Sequence, residues 1–101
     1  MRAGRPVKKK VIRGVPQIQQ FSPRGRPGRP AYVDIKFEEY EAIRLADFEL
    51  LGQAAAAQSM GISQQTFSRL LKKARNGLAK ALIEGSIIRL AGGDYRVIKG
   101  K

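Results

Sequence analysis

The residues best suited to chemistry in this sequence are polar and basic side chains between positions 63 and 73. Gln and Arg side chains hydrogen-bond the edges of adenine and guanine, whereas Lys, Ser and Thr more often contact phosphates. The cluster therefore predicts contact with a nucleic acid, with base edges bound by Gln64, Gln65, Ser68 and Arg69. Contacts around them, mainly to phosphates, are expected from Ser63, Thr66, Lys72 and Lys73.

These side chains must be held by two short helices joined by a tight turn, which we expect over residues 53–73. Gly61 follows Met60, where a chain leaving a helix commonly needs a positive φ. Ser63 stands where a hydroxyl can cap the next helix. One apolar face of that helix is formed at helical spacing by Phe67, Leu70, Leu71 and Ala74.

The stretch resembles the helix-turn-helix of bacterial regulators and of the promoter-reading region of sigma factors. Residues that match its small, turn and core positions are Ala57, Gly61, Ile62, Phe67 and Leu70. The alternative is an ordinary helical hairpin whose outer face is merely solvated. In the helix-turn-helix interpretation, the second helix projects a polar face from the domain and can enter the DNA major groove.

Composition favours a polyanionic partner and argues against several other classes. The 101 residues carry 20 Lys and Arg against eight acids, a net charge of +12 with a pI near 10.8. No apolar run approaches the length of a membrane span, and the basic first residues are followed by Gly, Pro and more charge, so we expect no secretory signal. Without Cys or His, we expect no enzyme activity, no metal and no cofactor. We expect a cytoplasmic, nucleoid-associated protein that does not bind membranes.

Residues 1–30 are predicted to form a basic, flexible, extended arm. They hold nine Lys and Arg residues and no acid, with many Gly and Pro. The segment from Pro23 to Pro27 looks like the core of an AT-hook, so Arg24, Arg26 and Arg29 are candidates for contact in or along the minor groove. The alternative is a solvated tail that contacts phosphates without preference.

Residues 31–52 are acidic and contain a predicted helix over about 37–48. The segment carries six acids and two bases, which suggests a face turned away from DNA. Its carboxylates Glu38, Glu39 and Glu41 could be mistaken for an acid–base or metal cluster. We interpret them as a solvated helix face, because the sequence offers no partner at suitable spacing.

The recognition helix is expected to continue to about residue 83, with a possible bend at Gly77. Two apolar stretches around Gly92 and Gly93 then predict a β-hairpin over about 87–98. The predicted fold is mainly α, with the arm at 1–30, a helix-turn-helix domain at 31–101 and this small hairpin.

Four segments stand out along the chain: Phe21-Ser-Pro-Arg-Gly, Glu41-Ala-Ile-Arg-Leu-Ala-Asp47, Met60-Gly-Ile-Ser-Gln-Gln-Thr-Phe-Ser-Arg-Leu70 and Ala91-Gly-Gly-Asp-Tyr95. In their order and spacing, almost the whole chain resembles a small prokaryotic family of uncharacterised, predicted DNA-binding proteins, whose helix-turn-helix is similar to region four of sigma factors. The resemblance implies a DNA-binding role and brings no established target, effector or activity.

The chain departs from the family at several positions. Lys36 and Gly52 stand where a hydroxyl residue usually precedes a helix, so weaker N-caps are expected there. Ala54 and Ala55 replace acidic residues common in the first helix of the motif. The Pro-Arg-Gly segment usually lacks the second Arg in the family, which favours a structural role for it.

The sequence thus predicts a transcriptional regulator that binds duplex DNA in a sequence-specific manner. Since one helix-turn-helix reads only a short half-site, we expect a homodimer. One alternative is an RNA- or ribosome-associated basic protein, because Arg- and Gly-rich arms also bind RNA. A second is an adaptor that contacts RNA polymerase.

Overall fold

The computed structural model describes residues 9–25 and 27–98 of the chain. Five strands and three helices follow one another along these residues. Their bounds are β1 Lys10–Ile12, β2 Gln20–Phe21, β3 Tyr32–Ile35, α1 Phe37–Ile43, α2 Gln53–Met60, α3 Gln64–Glu84, β4 Ile87–Leu90 and β5 Tyr95–Val97. A π-helical turn, Arg44–Phe48, continues directly from α1.

The α2–α3 helix pair forms where the sequence predicts it. Gly61 ends α2 in the left-handed conformation with a φ of 68°, which explains the need for glycine at this turn. The N–H of Ile62 then donates to the carbonyl of Ala57 at 3.0 Å. At the start of α3 the Ser63 hydroxyl accepts from the N–H of Thr66 at 3.0 Å, so Ser63 is the N-cap.

Helix α3 is a single 21-residue element that crosses the sheet without a break at Gly77. A Cβ at this position would lie 2.7 Å from Cδ1 of Ile35 on β3. Glycine therefore lets the helix lie close to the Ile35 side chain, which would have to move to admit a Cβ, and it does not mark a bend. The helix packs its apolar face into the core through Phe67, Leu71, Ala74 and Ala81, all of them buried.

The predicted C-terminal hairpin is wrong, because β4 and β5 belong to different sheets. Strand β4 lies in the middle of a three-stranded sheet, antiparallel to β2 and parallel to β3. Strand β5 instead pairs in parallel with β1, and we name this two-stranded sheet the β1–β5 ribbon. Both edges of β4 are occupied, so β5 has no place beside it.

Part of the segment predicted to be a flexible arm is folded into the domain. Ile12 on β1 is completely buried in the core. Strand β2 adds Gln20 and Phe21 to the edge of the three-stranded sheet. With two sheets besides its helices, the molecule is a mixed α/β domain and not the mainly α one predicted.

The carboxylates of α1 are buried, which contradicts their interpretation as a solvated face. Glu38, Glu39 and Glu41 are each at most 3% exposed. The Glu39 carboxylate accepts from the N–H of Lys36 at 2.9 Å and so stabilises the first turn of α1. The N–H of Asp94 donates to both carboxylate oxygens of Glu38 at 3.2 Å.

The Gly92–Gly93 segment wraps around the Glu38 carboxylate. The carbonyl of Gly92 accepts from the N–H of Phe37 at 3.1 Å. Gly93 has a φ of 115°, and a Cβ there would collide with the Glu38 side chain. Gly93, one of the two glycines predicted to turn a hairpin, therefore allows the backbone to approach a buried charge.

Candidate nucleic-acid interface

The first half of α3 presents a polar face whose residues are those predicted to contact bases and phosphates. Buried Phe67 and Leu71 fix the rotation of the helix about its axis. The opposite side is thereby left open to solvent. Exposed on it are Gln65, Ser68, Arg69, Lys72 and Lys73, while Gln64 and the capping Ser63 are exposed at the start of the helix.

Thr66 differs from its neighbours, since it is half-buried and engaged at the helix end. The Ser63 hydroxyl donates to Oγ1 of Thr66 at 2.9 Å while accepting from the Thr66 N–H. The pair closes the first turn of α3. Ser63 and Thr66 therefore act on the conformation of the interface, and their hydroxyls lie beside the exposed glutamines.

Gln53 is part of this surface and was missed by sequence reasoning. It is the first residue of α2, and its Oε1 accepts from the Ser68 hydroxyl at 2.8 Å. This bond fixes the exposed face of α3 against the start of α2. The only sequence signal for Gln53 was its place at the start of α2, directly after Gly52, which has no side chain to cap the helix. Lys36 likewise provides no side-chain cap, as expected.

The interface is electrostatically unbalanced. All eight acids of the chain lie in the described part, and each is held there by a hydrogen bond or an ion pair. The three bases of the exposed face, Arg69, Lys72 and Lys73, form no ion pair with any described residue. Their charges are therefore available to an anionic partner.

Two exposed ion pairs neutralise arginines outside this face. Arg75, two residues beyond Lys73, donates to both carboxylate oxygens of Asp47 at 2.6 and 3.1 Å. This hydrogen bonding holds the pKa of Asp47 below its usual value. On the sheet, Arg89 binds Asp34 in the same bidentate manner and lowers the pKa of that carboxyl.

The structure does not bring Arg24 or Arg29 of the predicted arm to the exposed face of α3. Pro23, beside Arg24, lines a groove with Ala81 and Leu82 at the C-terminal end of α3. Arg29 is two residues from Ala31, whose carbonyl accepts from the N–H of Ile87 just beyond that same end. From Ser68 to Leu82 the helix extends about 21 Å. Arg24 and Arg29 are exposed, and Arg26 lies outside the described residues.

Several large apolar side chains are exposed elsewhere in the described chain. Leu82 and Ile83, near the end of α3, are each 81% exposed. Phe48 and Leu50 are each 78% exposed, and Leu50 has a φ of 62° where the chain turns toward α2.

In the described part of the chain no helix has both the length and the apolar character to cross a membrane. No cluster of potential metal ligands occurs among the same residues.

Comparison with known proteins identifies relatives over nearly the whole chain. A family model described as "Protein of unknown function DUF134" matches residues 1–98. A UPF0251 protein of Halothermothrix orenii is 45% identical over 96 residues, which cover 94% of this chain and 71% of the relative. No solved structure matches the chain.

Two further relatives match about nine tenths of this chain. A UPF0251 protein of Caldicellulosiruptor bescii is 44% identical over 91 residues, 90% of this chain and 64% of the relative. One from Methanothermobacter thermautotrophicus is 46% identical over 91 residues, 90% of this chain and 48% of the relative. The chain thus spans between about half and seven tenths of the length of these three relatives.

Proposed function

The chain belongs to this DUF134 family, and we propose that it is a sequence-specific duplex DNA-binding protein that acts as a transcriptional regulator. In this proposal the α2–α3 helix pair is a helix-turn-helix, and the first half of α3 enters the major groove. The observation that carries it is the exposed face of α3, whose three bases have no acidic partner among the described residues.

The chemistry of that face matches the edges of base pairs. Gln64, Gln65 and Arg69 are exposed, and their side chains are long enough to reach the floor of a groove. Amide groups bind adenine and guanidinium groups bind guanine through two hydrogen bonds each. Lys72 and Lys73, farther along the helix, are suited to phosphates on the groove rim.

The rigidity of the helix pair supports a role in reading sequence. The Ser63 cap and the bond from Ser68 to Gln53 hold the start of α3 against α2. Phe67 is completely buried beneath the exposed face. Side chains on a fixed element discriminate between bases better than those on a mobile loop, because less freedom is lost on binding.

The test is selection of duplex DNA from a random pool at near-physiological salt, followed by the same selection with Arg69→Ala. We expect the wild type to enrich one motif and the variant to lose discrimination at one base pair by about 1–3 kcal/mol. Lys80→Ala is the matched control. It removes one positive charge from the same helix, about 16 Å farther along its axis.

The outcomes separate the proposal from its rivals. A palindromic motif would establish a dimer, with the half-site spacing as its geometry. Failure of the wild type to enrich any duplex, together with tighter binding of RNA in direct competition, would replace the proposal with the RNA-binding alternative. Association with RNA polymerase that survives nuclease treatment would instead favour the adaptor.

A further inference from the structure

The β1–β5 ribbon lies directly beside the turn that leads into α3. A cavity of about 260 Å³ between them is lined by Lys9, Val11, Gly61 and Arg96. A Cβ added to Gly61 would lie 3.8 Å from Cγ2 of Val11, at van der Waals distance. The ribbon is therefore packed against the α2–α3 turn and has a fixed position relative to the start of α3.

One face of the ribbon is basic and points toward this turn. Val11 and Arg96 are partners in the parallel register, so their side chains lie on the same face. Lys9, two residues before Val11, falls on that face as well. Ile12 points the other way and is completely buried, which fixes the orientation of the strand.

The charges of this face are poorly neutralised. The Nζ of Lys9 is 4.0 Å from a carboxylate oxygen of Asp94, and both side chains are more than half exposed. Such a pair contributes little, because water screens it. Arg96 is exposed and forms no ion pair with the described residues. Neither base was among the residues that the sequence predicted to contact DNA.

The ribbon lies close to the first turn of α3. Gly61, which packs beside Val11 of the ribbon, is three residues before Gln64, so their Cα atoms are separated by at most about 11 Å. The major groove is about 12 Å wide and bordered on both sides by phosphates. A basic face within this distance of a helix that lies in the groove can reach the phosphates of one rim.

We propose that the β1–β5 ribbon is a second DNA-contacting element, in which Lys9 and Arg96 bind backbone phosphates beside the groove occupied by α3. This inference rests on the proposed function. Arg96 can bind a phosphate through two hydrogen bonds, and Lys9 acts as a point charge. The ribbon positions the protein on the duplex without contributing to base discrimination.

The ribbon is better placed for this task than the Arg-rich segment around Pro23. That segment lies against the C-terminal end of α3, beside Ala81 and Leu82. The ribbon contacts the turn at the opposite end of the helix, immediately before the predicted base-contacting residues. The strongest basic contacts outside α3 are therefore assigned to Lys9 and Arg96.

The experiment measures the salt dependence of binding to the selected duplex for Lys9→Gln, Arg96→Gln and the double variant. Each substitution leaves one phosphate without its cation, so the slope of log Kobs against log salt should become shallower by about 0.9. The motif recovered by selection stays unchanged. Lys80→Gln, which removes the same charge at the far end of α3, leaves the slope at the wild-type value.

Phosphate ethylation interference then locates the phosphates that the ribbon binds. We expect the wild type to show interference at phosphates adjoining the motif, and Arg96→Gln to show none at one rim. Circular dichroism confirms that the variants remain folded. Slopes and interference patterns equal to those of the wild type would overturn the ribbon proposal while leaving Arg69-dependent recognition intact. A wild type that binds no duplex would overturn both proposals.

Discussion

Helices α1 and α3 are both highly charged, yet they use their charges in opposite ways. On α1 three carboxylates point inward, where they accept hydrogen bonds from Arg13, Lys36 and Asp94 backbone N–H groups. On α3 the bases Arg69 and Lys72 point outward and have no acidic partner in the described part of the chain. Glu38 and Glu41 of α1 hold remote segments of this domain together, whereas Arg69 and Lys72 of α3 are available to another molecule.

This difference shows that charge density alone does not identify a binding surface. From the sequence alone, the charged residues of either helix could be interpreted as a solvent-exposed face. Burial and partners separate them, because a buried charge must be satisfied within the fold and an exposed one need not be. Removing charge from α1 should therefore reduce stability, while removing it from α3 should reduce DNA binding and leave stability unchanged.

The largest effect is expected from Glu41→Ala. The Glu41 carboxylate is 2% exposed and accepts from Nε and an Nη of Arg44 at 2.9 Å. Its removal leaves two nitrogens of the Arg44 guanidinium and the N–H of Arg13 without their acceptor, so the free energy of unfolding should fall by about 3 kcal/mol. Urea denaturation measures this change.

Glu49→Ala is the matched control for this prediction. Glu49 also binds Arg44, at 3.0 Å, but its side chain is 42% exposed. The loss is expected to stay below about 1 kcal/mol, because solvent screens the pair. Equal losses for the two variants would show that the burial of Glu41 does not matter and would remove the contrast between α1 and α3.

Ser63→Ala should have an intermediate effect, because it acts on the end of α3 and not on a charge. The N–H of Thr66 loses its acceptor, which costs about 1 kcal/mol of stability. Thermal unfolding measures the loss. Ser59→Ala is the control, since Ser59 is exposed on α2 and makes no side-chain hydrogen bond with a described residue. A larger change for Ser59 would contradict the capping role.

A smaller loss of stability is expected from breaking the ion pair that joins the π-helical turn after α1 to α3. Asp47→Asn breaks the exposed pair with Arg75 and should cost about 0.2–1 kcal/mol at pH 7. The pKa of Asp47 is lowered in the folded protein, so this stabilisation is present above the unfolded-state pKa. It is lost as the pH falls through the lower folded-state pKa.

Parallel denaturation of wild type and Asp47→Asn between pH 7 and pH 2 tests this dependence. The difference in unfolding free energy should shrink toward zero at the acid end, where the Asp47 carboxyl is protonated. A difference that stays constant over the whole range would mean that the pair with Arg75 is not its cause.

The smallest effect on stability is expected for Lys72→Gln combined with Lys73→Gln. Both side chains are exposed and without ion pairs to described residues, so unfolding should change by less than about 0.5 kcal/mol. The salt slope of DNA binding should instead become shallower by about 0.9 for each phosphate that is no longer neutralised. Destabilisation comparable to that of Glu41→Ala would contradict the division between the two helices.

The helices were predictable because their signals are local. Gly61, Ser63 and the apolar spacing from Phe67 to Leu71 each act within a few residues of where they stand. The structure accordingly gives α3 an end at Glu84, close to the predicted residue 83. Contact with DNA by the exposed residues of α3 remains a prediction.

The sheets were not predictable in the same way, because their pairings are remote. Strand β4 pairs with strands that contain Gln20 and Tyr32, both more than 50 residues earlier in the chain. No sequence pattern around Ile87 indicates either partner. The burial of Glu38 and Glu41 on α1 could not be predicted for the same reason, because the backbone N–H groups that donate to them are remote. Glu38 accepts from a backbone N–H at residue 94, and backbone donors leave no pattern of side chains in a sequence.

The pairing of β1 with β5 also has a consequence for how the molecule folds. Lys10 is the register partner of Tyr95, so the ribbon closes a loop of about 85 residues. Such closure costs about 2 kcal/mol more chain entropy than closing a loop of about ten residues. The ribbon should therefore form after the helices have brought its strands together. A single cut between α3 and β5 would make the pairing of β5 with β1 a contact between two separate pieces of chain, so this pairing should then weaken on dilution.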